Sequence, residues 1–231
     1  MTQFLLEMPP QRGFDRTDFL VSRCNAAALA WIDRWPDWPG NALVLYGPPG
    51  CGKTHLAHIW RARSAAAMIA GERLPPEGPL SLPATALAID SADRAPETAL
   101  LHLFNFCRER GGSVLVVTQA PPASWPIRLP ALASRLRAAL AVGIDPPDEA
   151  LLGSVLLKQL ADRRVAAAPE VVRYLLARME RSFAAAAALA DRLDRAALGR
   201  RRREISIPMA RRILAEATVQ PSSPPSDFGV A

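Results

Sequence analysis

Short apolar runs alternating with stretches of helical period set the rhythm of the first 147 residues. The run ALVLY at 42–46 is continuous and apolar, the pattern of a parallel strand buried on both faces. Residues 66–70, 86–90 (ALAID), 114–118 (VLVVT) and 138–144 carry similar runs and read as further strands. Between them, residues 25–35 show apolar positions at helical spacing behind Ser22 and Asn25, both favourable N-caps, and PDWPG at 36–40 stops that helix. HLAHIWRARSAAA after the first strand, residues 97–109 and Leu132 to Leu136 also read as helical. Strand and helix in alternation imply a three-layer α/β domain with a parallel sheet over residues 14–147.

After Pro147 the period changes. Helical stretches at 148–162, 168–179, 182–198 and 208–217 follow with no convincing strand, so residues 148–217 are expected to form a small all-helical domain. Residues 1–13 read as an extended tail, and the polar, proline-rich residues 218–231 as a disordered one.

Composition narrows the classes. No apolar run approaches the roughly 18 residues of a membrane span, and MTQFLLEMPP lacks the basic leader of a secretory signal. Cys24, Cys51 and Cys107 are odd in number and scattered, which argues for a reducing, cytoplasmic setting. His55, His58 and His102 make no metal signature. A net charge of +6, supplied mostly by arginine, favours anionic partners.

The most specific chemistry lies just after the first strand. Gly47-Pro48-Pro49-Gly50-Cys51-Gly52-Lys53-Thr54 satisfies GxxxxGK[ST] in full, between an apolar strand and a helix. Glycines at these positions let successive backbone N–H groups turn inward onto phosphate oxygens, and the helix that follows presents its positive end to the same anion. Lys53 is expected to reach the β- and γ-phosphates of ATP or ADP, and Thr54 to offer its hydroxyl to Mg2+. Asp90, closing the run ALAID, suits the water shell of that Mg2+, or else simply starts the next helix. The residue after it is Ser91, and the next acid is Asp93, so no second carboxylate stands where an attacking water would be activated. Weak or absent intrinsic hydrolysis follows.

These residues carry a resemblance. GPPGCGKTHLAHIW, the preceding DFLVSRCNAAALAWI, LPALASRL at 129–136 and the ending LDRAALGRRRREISIPMARRIL together resemble the DnaA/Hda family of AAA+ proteins over about residues 1–217. The resemblance implies an AAA+ P-loop domain followed by a lid. It implies that Arg135 is an arginine finger acting in trans on the γ-phosphate of a neighbouring ATP. It gives Thr118, or Gln119 beside it, the sensor position at the end of VLVVT, and makes Arg181 the sensor arginine of the lid. Gln3-Phe4-Leu5-Leu6-Glu7-Met8 is similar to the hexapeptide that docks on the DNA polymerase sliding clamp. Gln3 would enter a polar pocket, and Phe4, Leu6 and Met8 would lie along an apolar cleft. The basic run Arg200 to Arg203 offers phosphate contacts for weak DNA binding, or is a solvated helix end.

The implied function is regulatory. With the DNA-loaded clamp, the chain promotes hydrolysis of ATP bound to the replication initiator DnaA and so restrains initiation. The alternatives are an autonomous AAA+ ATPase working as a ring of identical copies, a clamp-tethered adaptor, and a DNA-binding protein.

Overall fold

In the central strand β1 (Ala42–Tyr46), successive side chains point to opposite faces, and both faces are covered. Leu43 and Leu45 enter one apolar cluster, while Ala42 and Val44 enter another. This is why the run is continuous rather than alternating. Each such leucine, fully buried, contributes about 1.5–3 kcal/mol. The computed structural model describes residues 14–77, 86–198 and 203–219. The chain divides into two compact units, Met1–Pro146 and Pro147–Ala231.

In the first unit β1 is joined by β2 (Ala67–Ala70), β3 (Ala86–Asp90), β4 (Ser113–Thr118) and β5 (Leu140–Gly143). Among the described residues they form a five-stranded sheet in the order β2-β3-β4-β1-β5, with every pair parallel. Helices α1 (Ala26–Arg34) and α2 (Lys53–Ser64) cover the face that holds Leu43, Leu45, Leu115 and Val117, with Trp38 stacked on Trp60 at 5.2 Å between ring centres. Helices α3 (Glu97–Glu109) and α4 (Pro130–Ala138) cover the opposite face through Leu100, Leu103, Leu132 and Leu136. The three-layer expectation therefore holds. Two local readings change. Asn25 precedes α1 but does not cap it: its Oδ1 accepts from Ser22 N at 2.9 Å and its Nδ2 donates to Leu20 O at 3.0 Å, so it ties the connecting loop instead. The last strand begins at Leu140 rather than Ala138, because α4 continues through Ala138.

The second unit holds α5 (Glu149–Asp162), α6 (Pro169–Leu176), α7 (Phe183–Ala197) and α8 (Ile207–Val219) around Leu156, Leu160, Leu175, Leu189, Leu193 and Ile213. Asp148 caps α5 by accepting from Leu151 N at 2.7 Å, and Ser182 caps α7 by accepting from Ala185 N at 3.1 Å. The expectation that this region has no strand is corrected. β6 (Ala166–Ala167) pairs in parallel with β7 (Glu204–Ile205). Two-residue strands show no periodicity to read. Arg203 secures this ribbon, donating to Arg163 O at 3.0 Å and pairing with Asp194. The last predicted helix runs on to Val219, two residues into the expected tail.

Candidate functional site

Parallel strands bring their C-terminal ends to one edge of the sheet, and the chain reverses its strand order beside β1. The register sets Tyr46 of β1 opposite Thr118 of β4 and Gly143 of β5, while Ile89 of β3, just before Asp90, is level with Val116. Asp90 and Thr118 therefore end neighbouring strands beside the loop that leaves β1.

That loop runs from Gly47 to Gly52. Gly50 (φ 69°) and Gly52 (φ 99°) take left-handed conformations that favour glycine and curl the backbone. Gly47 is required for a different reason: a Cβ there would lie 2.3 Å from the Ile144 carbonyl oxygen. Lys53, the first residue of α2, is buried. Its ammonium donates to Gly47 O at 2.7 Å and Pro48 O at 2.8 Å, and contacts Cys51 Sγ at 3.7 Å. All three partners are neutral. A buried cation with no carboxylate to balance it among the described residues, at a helix N-terminus, favours an incoming anion. Burial pushes the Cys51 thiol above its usual value, against the opposing pull of Lys53, so the anion in this loop is not a thiolate.

Thr54 Oγ1 donates to Asp90 Oδ2 at 2.9 Å, and the other Asp90 oxygen accepts from Ser91 N at 2.8 Å. Asp90 thus reaches back to α2 and does not start the next helix. A hydroxyl and a carboxylate side by side form the hard-oxygen donor set of Mg2+, which keeps several waters and takes its remaining ligands from phosphates. The residues present fit a magnesium–nucleotide, although among the described residues no cluster of three or more His, Cys, Asp or Glu could hold a metal unaided. Ser91 sits in the left-handed region (φ 53°), and Asp93 is exposed on the following 3-10 turn.

The remaining predicted residues fall as follows. Thr118 is buried, and Gln119 beside it is exposed. Arg135 lies on α4 between the buried Leu132 and Leu136, half-exposed. Arg181 directly precedes the cap of α7, is 69% exposed and pairs with Glu149 at 3.7 Å; this places it in the second unit. Gln3, Phe4, Leu6 and Met8 lie outside the described residues, as do Arg200, Arg201 and Arg202. Of that basic run, Arg203 is engaged by Asp194.

Sequence reasoning missed an aromatic contact beside the loop. Phe14 stacks on His58 of α2 at 4.5 Å and meets His55 edge-on at 5.2 Å, which anchors the start of the described chain. Burial, with Arg61 nearby, pushes the His58 imidazole below its usual pKa, so its ring is neutral at pH 7. The one-turn spacing of His55 and His58 is the only sequence signal of this contact.

Residues 152–214 match the family model described as "Hda, lid domain". Domain III of the DnaA replication initiation protein from Thermotoga maritima is similar in fold, with a TM-score of 0.75 and 20% identity over 89% of this chain and 97% of that one. AMPPCP-bound DnaA from Aquifex aeolicus is similar with a TM-score of 0.61 and 16% identity, covering 74% of this chain and 62% of that one. The RuvB Holliday junction branch migration motor of Thermotoga maritima gives 0.71 and 16%, covering 90% and 74%. No curated protein sequence matches the chain. The first unit therefore has the AAA+ fold, and the second contains the stretch that matches the Hda lid model. Among the described residues no helix is long and apolar enough to cross a membrane.

Proposed function

We propose, for a chain consistent with the Hda family of DnaA-related AAA+ proteins, that it binds ADP or ATP with Mg2+ and acts in trans on a replication initiator. The observation that carries the reading is the uncompensated buried Lys53 in a glycine loop, beside the Thr54–Asp90 pair. The loop from Gly47 to Thr54 takes the phosphates, and Asp90 and Thr54 face the metal. Thr118 ends the strand beside them.

Arg135 serves a different nucleotide, the ATP of a neighbouring DnaA. There, water attacks the γ-phosphorus, the bond to the β–γ bridging oxygen breaks, and ADP and phosphate leave. A guanidinium held against the charge that develops in that step can accelerate it by about 10³–10⁵. Two observations favour action in trans over hydrolysis by this chain alone. Ser91 rather than a carboxylate directly follows Asp90, and Arg135 makes no ion pair among the described residues. Residues 3–8 dock the chain on the DNA-loaded sliding clamp, and Arg181 contributes from the lid. The outcome is ADP-bound initiator and restraint of replication initiation.

The test is hydrolysis of ATP pre-bound to the initiator, with this chain and DNA-loaded clamp added. Turnover is expected to need both, to be lost with Arg135→Ala, and to be lost with Gln3→Ala only where the clamp is required. Initiator ATP that stays intact under all conditions refutes the reading. The chain's own ATPase and its DNA affinity against salt then separate an autonomous motor from a DNA-binding protein.

A further inference from the structure

Helix α4 begins without a cap of its own. Leu129 occupies the N-cap position and provides no side-chain hydrogen bond, and Pro130 follows it. The two residues that lead into it are held instead by another helix. Glu97, the first residue of α3, accepts from Leu129 N at 2.8 Å and from Arg128 N at 3.0 and 3.1 Å through its two carboxylate oxygens. These N–H groups hold the Glu97 carboxyl below the usual carboxylate range, Arg128 first and Leu129 next, so it is ionised at neutral pH. Glu97 follows Pro96 and lies seven residues after Asp90 in the sequence.

Two sets of contacts therefore locate α4. Leu132 and Leu136 enter the core on one side of the helix and set its rotation. Glu97 fixes the residues at its start and sets its position along the axis. Arg135 stands between Leu132 and Leu136 in sequence, so its place follows from both. Leu132 and Leu136 are plain core. The carboxylate is the polar, directional restraint, and a contact between backbone amides and a charged acceptor is among the stronger hydrogen bonds.

We propose that Glu97 is the positioning residue for Arg135, holding α4 so that the guanidinium meets a partner's nucleotide in register. This rests on the reading of Arg135 as a finger in trans. Misplacing a reacting group by about 1 Å costs on the order of 10²-fold in rate. Loss of the Glu97 contacts is therefore expected to appear in turnover rather than in association.

The experiment uses the full chain with initiator, ATP and DNA-loaded clamp, and compares Glu97→Gln, Glu97→Ala and Arg135→Ala with the natural sequence. The maximal rate of initiator-ATP hydrolysis and the chain concentration at half-maximal rate are read separately. Hydrogen exchange is followed over residues 128–138 and over the loop 47–54. For Glu97→Ala we expect the maximal rate to fall about 10- to 100-fold. Half-saturation, exchange over 47–54 and ADP affinity should stay unchanged, while exchange over 128–138 speeds up. Glu97→Gln keeps one carbonyl acceptor and should fall between. If Arg135→Ala abolishes hydrolysis while Glu97→Ala leaves the maximal rate intact, the trans reading stands and the role of Glu97 is refuted. If Glu97→Ala shifts only half-saturation, Glu97 belongs to the docking surface and the proposal is overturned. If Arg135→Ala has no effect, the finger reading fails and the positioning role fails with it.

Discussion

Replacing Gly71 by alanine should damage the metal side of the nucleotide site from a position that touches no nucleotide-binding residue identified from the sequence. Gly71 is buried, in the 3-10 turn after β2, and packs on the turn that follows Asp90. A Cβ built there lies 2.2 Å from Ser91 O, 3.0 Å from Ser91 C and 3.2 Å from Ala95 N. All three atoms are backbone, so no side chain can swing aside. To reach an ordinary contact the Ser91 carbonyl must move by about 1 Å, at an overpacking cost of about 1–3 kcal/mol. The same residue, one peptide earlier, carries Ser91 N, which orients Asp90 at 2.8 Å, and Asp90 in turn accepts from Thr54 at 2.9 Å. A displacement of that size takes either bond beyond hydrogen-bonding distance. The assay is ADP affinity with and without Mg2+, together with thermal unfolding. Gly71→Ala should lose most of the Mg2+-dependent gain in affinity, keep the Mg2+-independent part, and melt several degrees lower, at about 2–4 °C per kcal/mol. Gly111→Ala is the control: its φ of 63° strains alanine, but a Cβ there meets nothing within 4 Å, so stability should fall without any change in Mg2+ dependence. Unchanged Mg2+ dependence in Gly71→Ala, with the expected drop in melting, would refute the link from Gly71 through Ser91 to Asp90.

Thiol chemistry and helix caps supply further expectations. Burial pushes Cys107 up to about 11 and also raises Cys51, so at pH 8 a soluble thiol reagent should modify only the half-buried Cys24 in the native chain and all three cysteines once it is unfolded; three fast native thiols would contradict the burial. A thiol whose folded pKa lies above its unfolded one adds stability that is complete below the unfolded value and lost as pH climbs through the folded one. Urea titrations should therefore show stability falling between about pH 9 and 11. Ser182→Ala removes the acceptor for Ala185 N at the start of α7 and should cost about 1 kcal/mol, visible as a lower urea midpoint at unchanged slope; an unmoved midpoint would show that water replaces the cap.

The elements legible in the sequence were those whose signal is local. β1 and β4 are read from unbroken apolar runs because both faces of the sheet are covered. Lys53 and Thr54 are read because their spacing from the glycines is the chemistry itself. Asp90 was legible only as the end of a run; its bond to Thr54 spans 36 residues and appears only in three dimensions. Glu97 carried no signal, since its partners lie 31 and 32 residues away and are backbone amides, which any residue type provides. The β6–β7 ribbon was missed because each strand is two residues long and the pair is separated by two helices. Asn25 looked like a cap by residue type, but its amide satisfies the loop before the helix instead.

The stacking of Phe14 on His58 also sets the length of a leash. Covalent geometry allows at most about 3.6 Å per residue, so the six steps from Met8 to Phe14 span no more than about 22 Å. A hexapeptide docked at residues 3–8 would then keep α2 within that radius of its groove, whatever else the molecule does. For a tether this short, the local concentration of the nucleotide-binding unit at the docking surface reaches the millimolar range and falls as the tether is lengthened. Recruitment would thus act as a gain in encounter frequency, confined to targets gathered at the same place.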